Sequence, residues 1–263
     1  REIFDYEKYL KESYYNVNEP YPIDLTSIKA ANVSTSRGCV YNKCTFCYHV
    51  FKKNIFRARS ALSIVSEISE LKNKYGVNYI SFADELTLYN KKQIMELTQM
   101  IIENNLNIFW TGATITGILG ENDLDTALLL KKSGCVGLFF ALESSDAKIL
   151  DSMQKPVRDL SKFIETRNVL KKAGIITWTG LVFGYPEETK ETIKNTAEFC
   201  IKEKLCPTAG YLLVQPGTVM YEYALKNGYI KDEEEYIMNL GDRQDLHLNM
   251  TSMRDDELIG YVT

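Results

Sequence analysis

Three cysteines stand within nine residues of one another in the segment Ser-Arg-Gly-Cys-Val-Tyr-Asn-Lys-Cys-Thr-Phe-Cys-Tyr, residues 36–48. Cys39, Cys44 and Cys47 could bring three thiolates to one small inorganic centre, because zinc and iron–sulfur clusters prefer soft thiolate ligands. A cubane cluster usually takes four cysteines, so three protein ligands would leave one iron open to a substrate or cofactor. The segment therefore predicts a cofactor site.

The spacing of these cysteines by itself leaves three alternatives open. A [4Fe–4S] cluster is the favoured interpretation, a zinc site is the second, and a set of free thiols is the third. Zinc would need His49 as a further ligand, and His49 follows Cys47 by only two residues. Zinc ligand pairs are usually spaced more widely than that, which is why a cluster is favoured.

Two pairs of polar residues follow apolar segments that have the pattern of β-strands. Asp84 and Glu85 follow the second such segment, and Glu143 and Ser144 follow the fourth. In α/β barrels the functional residues stand at the carboxyl ends of the strands, so all four are candidate ligand-binding residues. Each pair also has a structural interpretation. The two acids would favour the dipole of the next helix, and Glu143 and Ser144 would cap the helix that starts near Asp146.

Short apolar segments alternate with amphipathic helices along most of the chain, which indicates an α/β fold with a parallel sheet and right-handed crossovers. Only about six such units fit the length, so we predict a partial (β/α)6 TIM-like barrel whose functional residues lie at one end. The predicted strands are residues 32–36, 77–83, 107–113, 136–142, 175–183 and 210–215.

Two helices between these strands carry clear end signals. Ser60 can cap the first helix and Gly76 can end it, and Asn90 can cap the second. Gly134 and Gly174 each end a later helix and lead directly into a strand. Helical spacing of the apolar residues predicts that Ile64, Val65, Ile68 and Leu71 are buried in the first helix, and Ile94, Leu97 and Ile101 in the second.

The composition excludes several classes of protein. The 263 residues are 45% hydrophobic and 25% charged, with 31 basic and 35 acidic residues, as in ordinary globular proteins. No basic run indicates a nucleic-acid partner, and no apolar segment approaches the roughly 20 residues of a membrane span. No signal peptide is recognisable, so we expect a cytoplasmic protein.

The scattered Cys135, Cys200 and Cys206 are expected in the core as small hydrophobes.

The cysteine segment resembles the cluster loop of the radical S-adenosylmethionine (SAM) superfamily, and most closely that of its cobalamin-binding subfamily. Four residues separate Cys39 from Cys44, where three are common in the family. The similarity continues along nearly the whole chain. It includes Phe-Arg-Ala-Arg-Ser at 56–60, Phe-Ala-Asp-Glu at 82–85, Leu-Glu-Ser at 142–144, Ile-Leu-Asp-Ser-Met-Gln-Lys at 149–155, Phe-Gly-Tyr-Pro-Glu-Glu-Thr at 183–189 and Gln-Pro-Gly-Thr at 215–218.

The resemblance implies a set of cofactor-binding residues. Cys39, Cys44 and Cys47 would bind a [4Fe–4S] cluster, and either Asp84 or Glu85 would accept a charge-assisted hydrogen bond from the amino group of SAM.

Four further residues are implied at the SAM site. Glu143 and Ser144 would contact the ribose or the methionine moiety, Gly184 would let SAM approach the backbone, and Phe46 would lie against the adenine. Phe46 also has a structural interpretation, which is ordinary packing within the loop.

The resemblance also implies the chemistry. The cluster reduces SAM to a 5′-deoxyadenosyl radical, which abstracts a hydrogen atom from the substrate. We expect cobalamin-dependent methyl transfer or cyclisation; the alternatives are a cobalamin-free radical SAM enzyme of the methylthiotransferase kind and, less favoured, a zinc-binding barrel protein. The implied partners are an electron donor such as flavodoxin or ferredoxin and a small-molecule or peptide substrate of unidentified structure.

Three regions are expected along the chain: a lead-in arm at residues 1–30, the radical SAM partial barrel at 31–220 and a helical C-terminal tail at 221–263. The chain opens on Arg1 rather than on methionine, and its first residues have the composition of a linker. We therefore expect a piece of a longer protein, with a truncated tail and a cobalamin-binding domain directly before Arg1.

Overall fold

The computed structural model of the chain describes residues 7–8, 27–47 and 56–263, in which strands and helices alternate. No helix among these residues is long and apolar enough to cross a membrane. The strands are β1 (Ala30–Val33), β2 (Ser36–Arg37), β3 (Arg57–Ala58), β4 (Tyr79–Phe82), β5 (Phe109–Ala113), β6 (Cys135–Phe139), β7 (Ile176–Trp178), β8 (Gly180–Phe183) and β9 (Thr208–Tyr211). The helices are α1 (Ala61–Tyr75), α2 (Lys91–Glu103), α3 (Leu124–Lys132), α4 (Ala147–Ser152), α5 (Leu160–Lys172), α6 (Lys190–Lys202), α7 (Val219–Lys226), α8 (Glu233–Met238) and α9 (Asp255–Val262).

Parallel strands form the main sheet. Its five strands lie in the order β1-β4-β5-β6-β7, and the pairs β1–β4, β4–β5 and β5–β6 are parallel. Strands β8 and β9 form a separate parallel pair, and β2 and β3 form a short antiparallel pair. Since β1 and β7 are the two ends of the main sheet, the described strands do not close into a barrel. The predicted α/β fold with an open parallel sheet is confirmed.

The described residues divide into two compact units, each with its own core. The first comprises the described residues within Arg1–Cys39, Ile55–Phe139 and Ile164–Thr177, and the second those within Val40–Asn54, Phe140–Phe163 and Trp178–Thr263. Large apolar side chains that are almost fully buried in the first unit include Ile64, Ile68, Leu71, Ile80, Ile94, Leu97 and Trp110. The core of the second unit includes Ile149, Leu150, Met153, Val182, Tyr185, Leu212, Val214, Met220 and Tyr221.

The first two helices begin and end where their sequence signals predict. The Ser60 hydroxyl accepts the Ser63 N–H at 3.2 Å, and Gly76 ends α1 in the left-handed region at φ 69°. The Asn90 side chain accepts the Gln93 N–H at 2.8 Å at the start of α2. The residues predicted to be buried in these helices are all buried: Ile64, Val65, Ile68, Leu71, Ile94, Leu97 and Ile101.

The predicted fifth strand, residues 175–183, is divided into β7 and β8 at Thr179. The backbone ladder to the neighbouring segment is interrupted there: Trp178 O accepts the Phe140 N–H at 3.3 Å, and backbone bonds resume where the Glu143 N–H donates to Gly180 O at 2.9 Å. The Thr179 hydroxyl accepts the Leu142 N–H at 2.8 Å and so occupies a donor that a continuous ladder would have used. Residues 175–183 are rich in β-branched and aromatic residues on both sides of Thr179, so the sequence does not reveal the break.

The cysteines outside the loop follow the prediction in two of three cases. Cys135 lies in β6 and Cys200 in α6, and both are buried. The prediction for Cys206 is wrong, because Cys206 is exposed in the connection between α6 and β9, where neither element covers it.

Candidate active site

Thr45 attaches the cysteine loop to the end of helix α4. Its backbone N–H donates to Met153 O at 3.1 Å, and its hydroxyl donates to Ser152 O at 2.9 Å. Nearby, the Tyr41 hydroxyl donates to Gln154 O at 2.7 Å. The last carbonyls of a helix have no partner within the helix, so the loop supplies donors that this helix end needs. The residues between Cys39 and Cys47 are thereby held against α4 and the turn that follows it.

A buried tyrosine supports the loop from a second side. The Tyr185 hydroxyl lies 2.9 Å from the Thr45 hydroxyl. Because the single proton of the Thr45 hydroxyl is donated to Ser152 O, Tyr185 is the donor of this second bond. The side chain of Tyr185 is fully buried, and burial raises the pKa of its phenol. Tyr185 is therefore a neutral hydrogen-bond donor that fixes Thr45.

Cys44 and Cys47 are neighbours in space as well as in sequence. Their turn is closed by a hydrogen bond of 3.3 Å from Cys47 N to Cys44 O, and neither residue forms a disulfide. The Cys47 thiol hydrogen-bonds the Cys44 sulfur, which lowers the pKa of Cys44; the same bond raises the pKa of Cys47. The pair therefore presents one sulfur that loses its proton readily, as a metal ligand must.

Phe46 packs on the core of the second unit between these two cysteines. Its ring meets that of Tyr185 edge to face, with the centroids 6.4 Å apart, and it is partly buried against the apolar cluster around Tyr185. Phe46 therefore packs on the core of the second unit rather than within the loop itself. Its contact with adenine stays a prediction.

Glu143 forms a buried ion pair with a lysine that the sequence analysis did not select. Its carboxylate Oε1 lies 3.2 Å from Lys155 Nζ, and the two side chains are only 8% and 15% exposed. Burial by itself lowers the pKa of Lys155, but the charges of Glu143 and Cys44 outweigh burial and hold the pKa above its ordinary value. The lysine is therefore a cation beside the cysteine pair.

The backbone of Glu143 is held in an unusual conformation. Its φ is 66°, in the left-handed region that residues other than glycine seldom occupy. Two hydrogen bonds maintain it: Glu143 N–H donates to Gly180 O at 2.9 Å, and Val182 N–H donates to Glu143 O at 3.0 Å. Such a conformation costs of order 1–3 kcal/mol and is often found at functional sites.

Ser144 and Gly184 each support the local backbone conformation in the second unit. The Ser144 hydroxyl accepts the Asp146 N–H at 3.1 Å, and Asp146 in turn caps α4 by accepting the N–H groups of Lys148 and Ile149. The structural interpretation of Glu143 and Ser144 as the cap of this helix is therefore wrong: Asp146 is the cap, and Ser144 only holds the backbone of Asp146. Gly184 has a φ of 102° directly after β8. Glycine adopts this conformation more easily than residues with a side chain, which accounts for a glycine at this position.

The carboxylate of Asp84 accepts hydrogen bonds from the turn between β1 and β2. Its two oxygens accept the Thr35 N–H at 2.8 and 3.0 Å, the Thr35 hydroxyl at 2.6 Å and the Ser36 N–H at 3.3 Å. Glu85, the next residue, is exposed. The helix-dipole interpretation of these two acids is wrong, because α2 starts at Lys91 after its cap Asn90 and has no acid in its first turn.

The structure brings some of the predicted site residues together within one unit. Cys44, Cys47, Phe46, Glu143, Ser144 and Gly184 belong to the second unit, and Cys39, Asp84 and Glu85 to the first.

In the described part of the chain, no group of three or more Cys, His, Asp or Glu side chains is placed to hold a metal ion. His49, the ligand of the zinc alternative, lies outside the described residues. The donor chemistry nevertheless fits an iron–sulfur cluster, since all three loop cysteines are free and only partly buried.

Sequence reasoning missed Lys155, Thr45 and Tyr185. Lys155 is the last residue of the family motif at 149–155. Its burial depends on contacts with α4 and Glu143, which the local sequence pattern does not show. The signal for Tyr185 was its place directly after Gly184, at a turn that ends a strand.

A second buried carboxyl was also missed. Glu188 is 1% exposed, its Oε1 lies 2.5 Å from the Thr192 hydroxyl, and its Oε2 has no hydrogen-bond partner among the described atoms. Burial raises the pKa of Glu188 to about 7.

Comparison with known proteins identifies relatives of the chain. The family model of the radical SAM superfamily matches residues 33–200, more than half of the chain. An uncharacterized methyltransferase of Pyrococcus horikoshii is 30% identical over 75% of this chain and 42% of its own length. The anaerobic magnesium-protoporphyrin IX monomethyl ester cyclase of Cereibacter sphaeroides is 26% identical over 67% of this chain and 29% of its own length. The chain spans less than half the length of both relatives.

A solved structure shares the fold. The radical SAM methyltransferase TsrM of Kitasatospora setae, with cobalamin and a [4Fe–4S] cluster bound, matches 76% of this chain and 40% of its own with a TM-score of 0.65. The sequence identity is 18%, so the likeness concerns the fold. The predicted radical SAM type of α/β fold is confirmed.

Proposed function

The chain belongs to the radical SAM superfamily and is an enzyme, and we propose that it is the catalytic part of a cobalamin-dependent enzyme that performs methyl transfer or cyclisation. A [4Fe–4S] cluster and SAM are the cofactors that membership of the family implies. The observation that carries the assignment of the site is that the free thiols of Cys44 and Cys47 stand on one turn, closed by the bond from Cys47 N–H to Cys44 O, on a loop fastened to α4.

Cys39, Cys44 and Cys47 would hold the cluster in this proposal. Three thiolates leave one iron without a protein ligand, and SAM would bind there. When bound, the reduced cluster supplies the electron that cleaves SAM, and a flavodoxin or ferredoxin would supply that electron first. Thr45 and Tyr185 hold the cysteine loop in place, and the hydrogen bond between their hydroxyl groups is buried away from solvent.

The SAM contacts are assigned to Phe46, Glu85, Glu143, Ser144 and Gly184. Between the two acids after β4 we choose Glu85 because its side chain is exposed, whereas Asp84 is partly buried and accepts hydrogen bonds from Thr35 and Ser36. An exposed carboxylate can accept bonds from the cationic amino group of a ligand at a lower desolvation cost. Asp84 would act as a positioning residue for the turn that leads into the cysteine loop.

Cobalamin is proposed from the relatives. A methyltransferase and a cyclase are among the similar proteins, and the structure of TsrM contains cobalamin. The chain corresponds to less than half of either relative, which leaves room in a longer protein for a cobalamin-binding domain before residue 1. We propose residues 1–30 as the arm to that domain, 31–220 as the radical SAM domain and 221–263 as the helical tail.

The cluster assignment is tested by removing the three thiols. Cys39, Cys44 and Cys47 are changed together to alanine, and the protein is reconstituted anaerobically with iron and sulfide beside the unchanged protein. The unchanged protein should bind about one cubane cluster and form 5′-deoxyadenosine from SAM when reduced, and the variant should do neither. The matched control is Cys206→Ala, which removes an exposed thiol outside the loop. If the triple variant kept its iron and its SAM cleavage, the assignment would be wrong.

A further inference from the structure

Lys155 is a buried cation beside the two cysteines. Its Nζ lies 3.2 Å from Glu143 Oε1 and 6.0 Å from the centroid of the Phe46 ring, and Phe46 stands between Cys44 and Cys47 in the sequence. The positive charge of Lys155 acts on both cysteine sulfurs. The side chain is 15% exposed, so water and salt screen this charge far less than a surface charge.

The backbone holds the lysine in this place. Lys155 N–H donates to Leu150 O at 3.1 Å, and the preceding Gln154 is in the left-handed region at φ 51°. The carbonyl of Gln154 accepts the Tyr41 hydroxyl from the cysteine loop. The loop and the backbone of Lys155 are therefore attached to the same turn, and the ion pair with Glu143 holds the ammonium group.

We propose that Lys155 raises the reduction potential of the cluster bound at Cys44 and Cys47, and that Glu143 limits this effect. The inference rests on the proposed function, since it requires a cluster at these cysteines. Reduction adds one electron to the cluster, which the donor protein loses, and no bond forms or breaks. The added negative charge is stabilised by a nearby cation and destabilised by a nearby carboxylate, and both charges are more effective where water is excluded.

Lys155 and Glu143 carry opposite charges, so replacing each with a neutral residue should shift the reduction potential in opposite directions. The full-length protein with its cluster, and without SAM, is titrated with dithionite while the reduced cluster is followed by electron paramagnetic resonance. In Lys155→Met, the ratio of reduced to oxidised cluster at a given potential should fall about tenfold, which is 59 mV for a one-electron couple. In Glu143→Gln, the same ratio should rise about tenfold.

Two controls separate charge from structure. Lys155→Arg keeps the cation and should keep the potential of the unchanged protein. Lys148→Met removes an exposed lysine from α4 in the same unit and should leave the potential unchanged, because solvent screens that charge.

The outcomes distinguish this inference from the proposed function. If the unchanged protein binds no cluster, the proposed function fails. If it binds the cluster and both Lys155→Met and Glu143→Gln retain its potential, the inference about Lys155 is wrong while the proposed function stands. If Lys155→Met loses its iron, Glu143→Gln decides: a higher potential supports the inference and an unchanged one overturns it.

Discussion

Four carboxylates in the described part of the chain have four different environments, and the environment decides what each can do. Asp84 accepts hydrogen bonds from a backbone turn, Glu143 is paired with Lys155 in the interior, and Glu188 is buried with an unpaired oxygen. Glu85 is exposed to solvent. A carboxylate that is already satisfied by the protein has little left for a ligand, so the neighbours of each acid indicate its role.

The two acids after β4 should therefore respond differently to loss of charge. Glu85→Gln should raise the dissociation constant of SAM about tenfold, equal to about 1.4 kcal/mol, with unchanged iron content and thermal stability. Asp84→Asn should lower the unfolding free energy by about 1–3 kcal/mol, because an amide N–H₂ would then face the N–H groups of Thr35 and Ser36. Isothermal titration with SAM and thermal unfolding measure the two effects. An unaltered SAM affinity in Glu85→Gln would exclude Glu85 as a contact.

Glu188 should make the stability of the protein depend on pH. Its pKa is raised from 4.5 to about 7 in the folded protein, so the folded state binds more protons than the unfolded state between these values. Stability should therefore fall as the pH rises from about 4.5 to about 7, by about 2–3 kcal/mol in total. Glu188→Gln cannot ionise, and it should be more stable than the unchanged protein at pH 8 and similar at pH 5.

The measurement is thermal unfolding of the cluster-free protein at these two pH values. Glu187→Gln is the matched control, because Glu187 is the adjacent acid and is exposed. A pH dependence that was the same in Glu188→Gln as in the unchanged protein would contradict the assignment.

At the scale of elements, the cysteine loop depends on the short helix α4. That helix has six residues, too few to be stable alone, and its end is covered by donors from the loop. Asp146 caps its start. The loop and the helix therefore stabilise each other, and α4 positions the loop for cofactor binding.

Replacing Thr45 tests this dependence. Thr45→Val keeps the shape but removes a donor to Ser152 O and leaves the buried Tyr185 hydroxyl without its partner. The cost should be about 2 kcal/mol, or about 4–8 °C in the melting temperature of a protein of this size. The variant should also lose its iron faster to a chelator. Thr45→Ser retains the hydroxyl and should resemble the unchanged protein in both measurements; equal melting temperatures for Val and Ser would refute the role of the hydroxyl.

At the scale of the whole molecule, this chain spans only a part of the length of its relatives. The chain spans 42% of its Pyrococcus relative and 29% of the cyclase. The two folded units hold the cysteine loop, the candidate SAM contacts and the Lys155–Glu143 pair. Under the proposed function, cobalamin would bind to a further domain of a longer protein.

The full-length protein should bind hydroxocobalamin at micromolar concentration, with a change in its visible spectrum, whereas residues 1–263 alone should bind SAM without binding cobalamin. Absorption titration of both proteins provides the comparison. An absence of binding by the full-length protein would favour a cobalamin-free radical SAM enzyme of the methylthiotransferase kind.

Local patterns in the sequence determined the α/β alternation, the caps at Ser60 and Asn90 and the buried faces of the first two helices, because these depend on residues within a few turns of one another. The same is true of the cysteine loop, whose spacing and flanking motifs indicated the family. Only the tertiary structure decided the break at Thr179, the occupation of Asp84 by the turn at Thr35, and the pairing of Glu143 with Lys155. Each of these joins residues from different elements, and the energy of such contacts depends on burial and partner geometry that a single stretch of sequence does not contain.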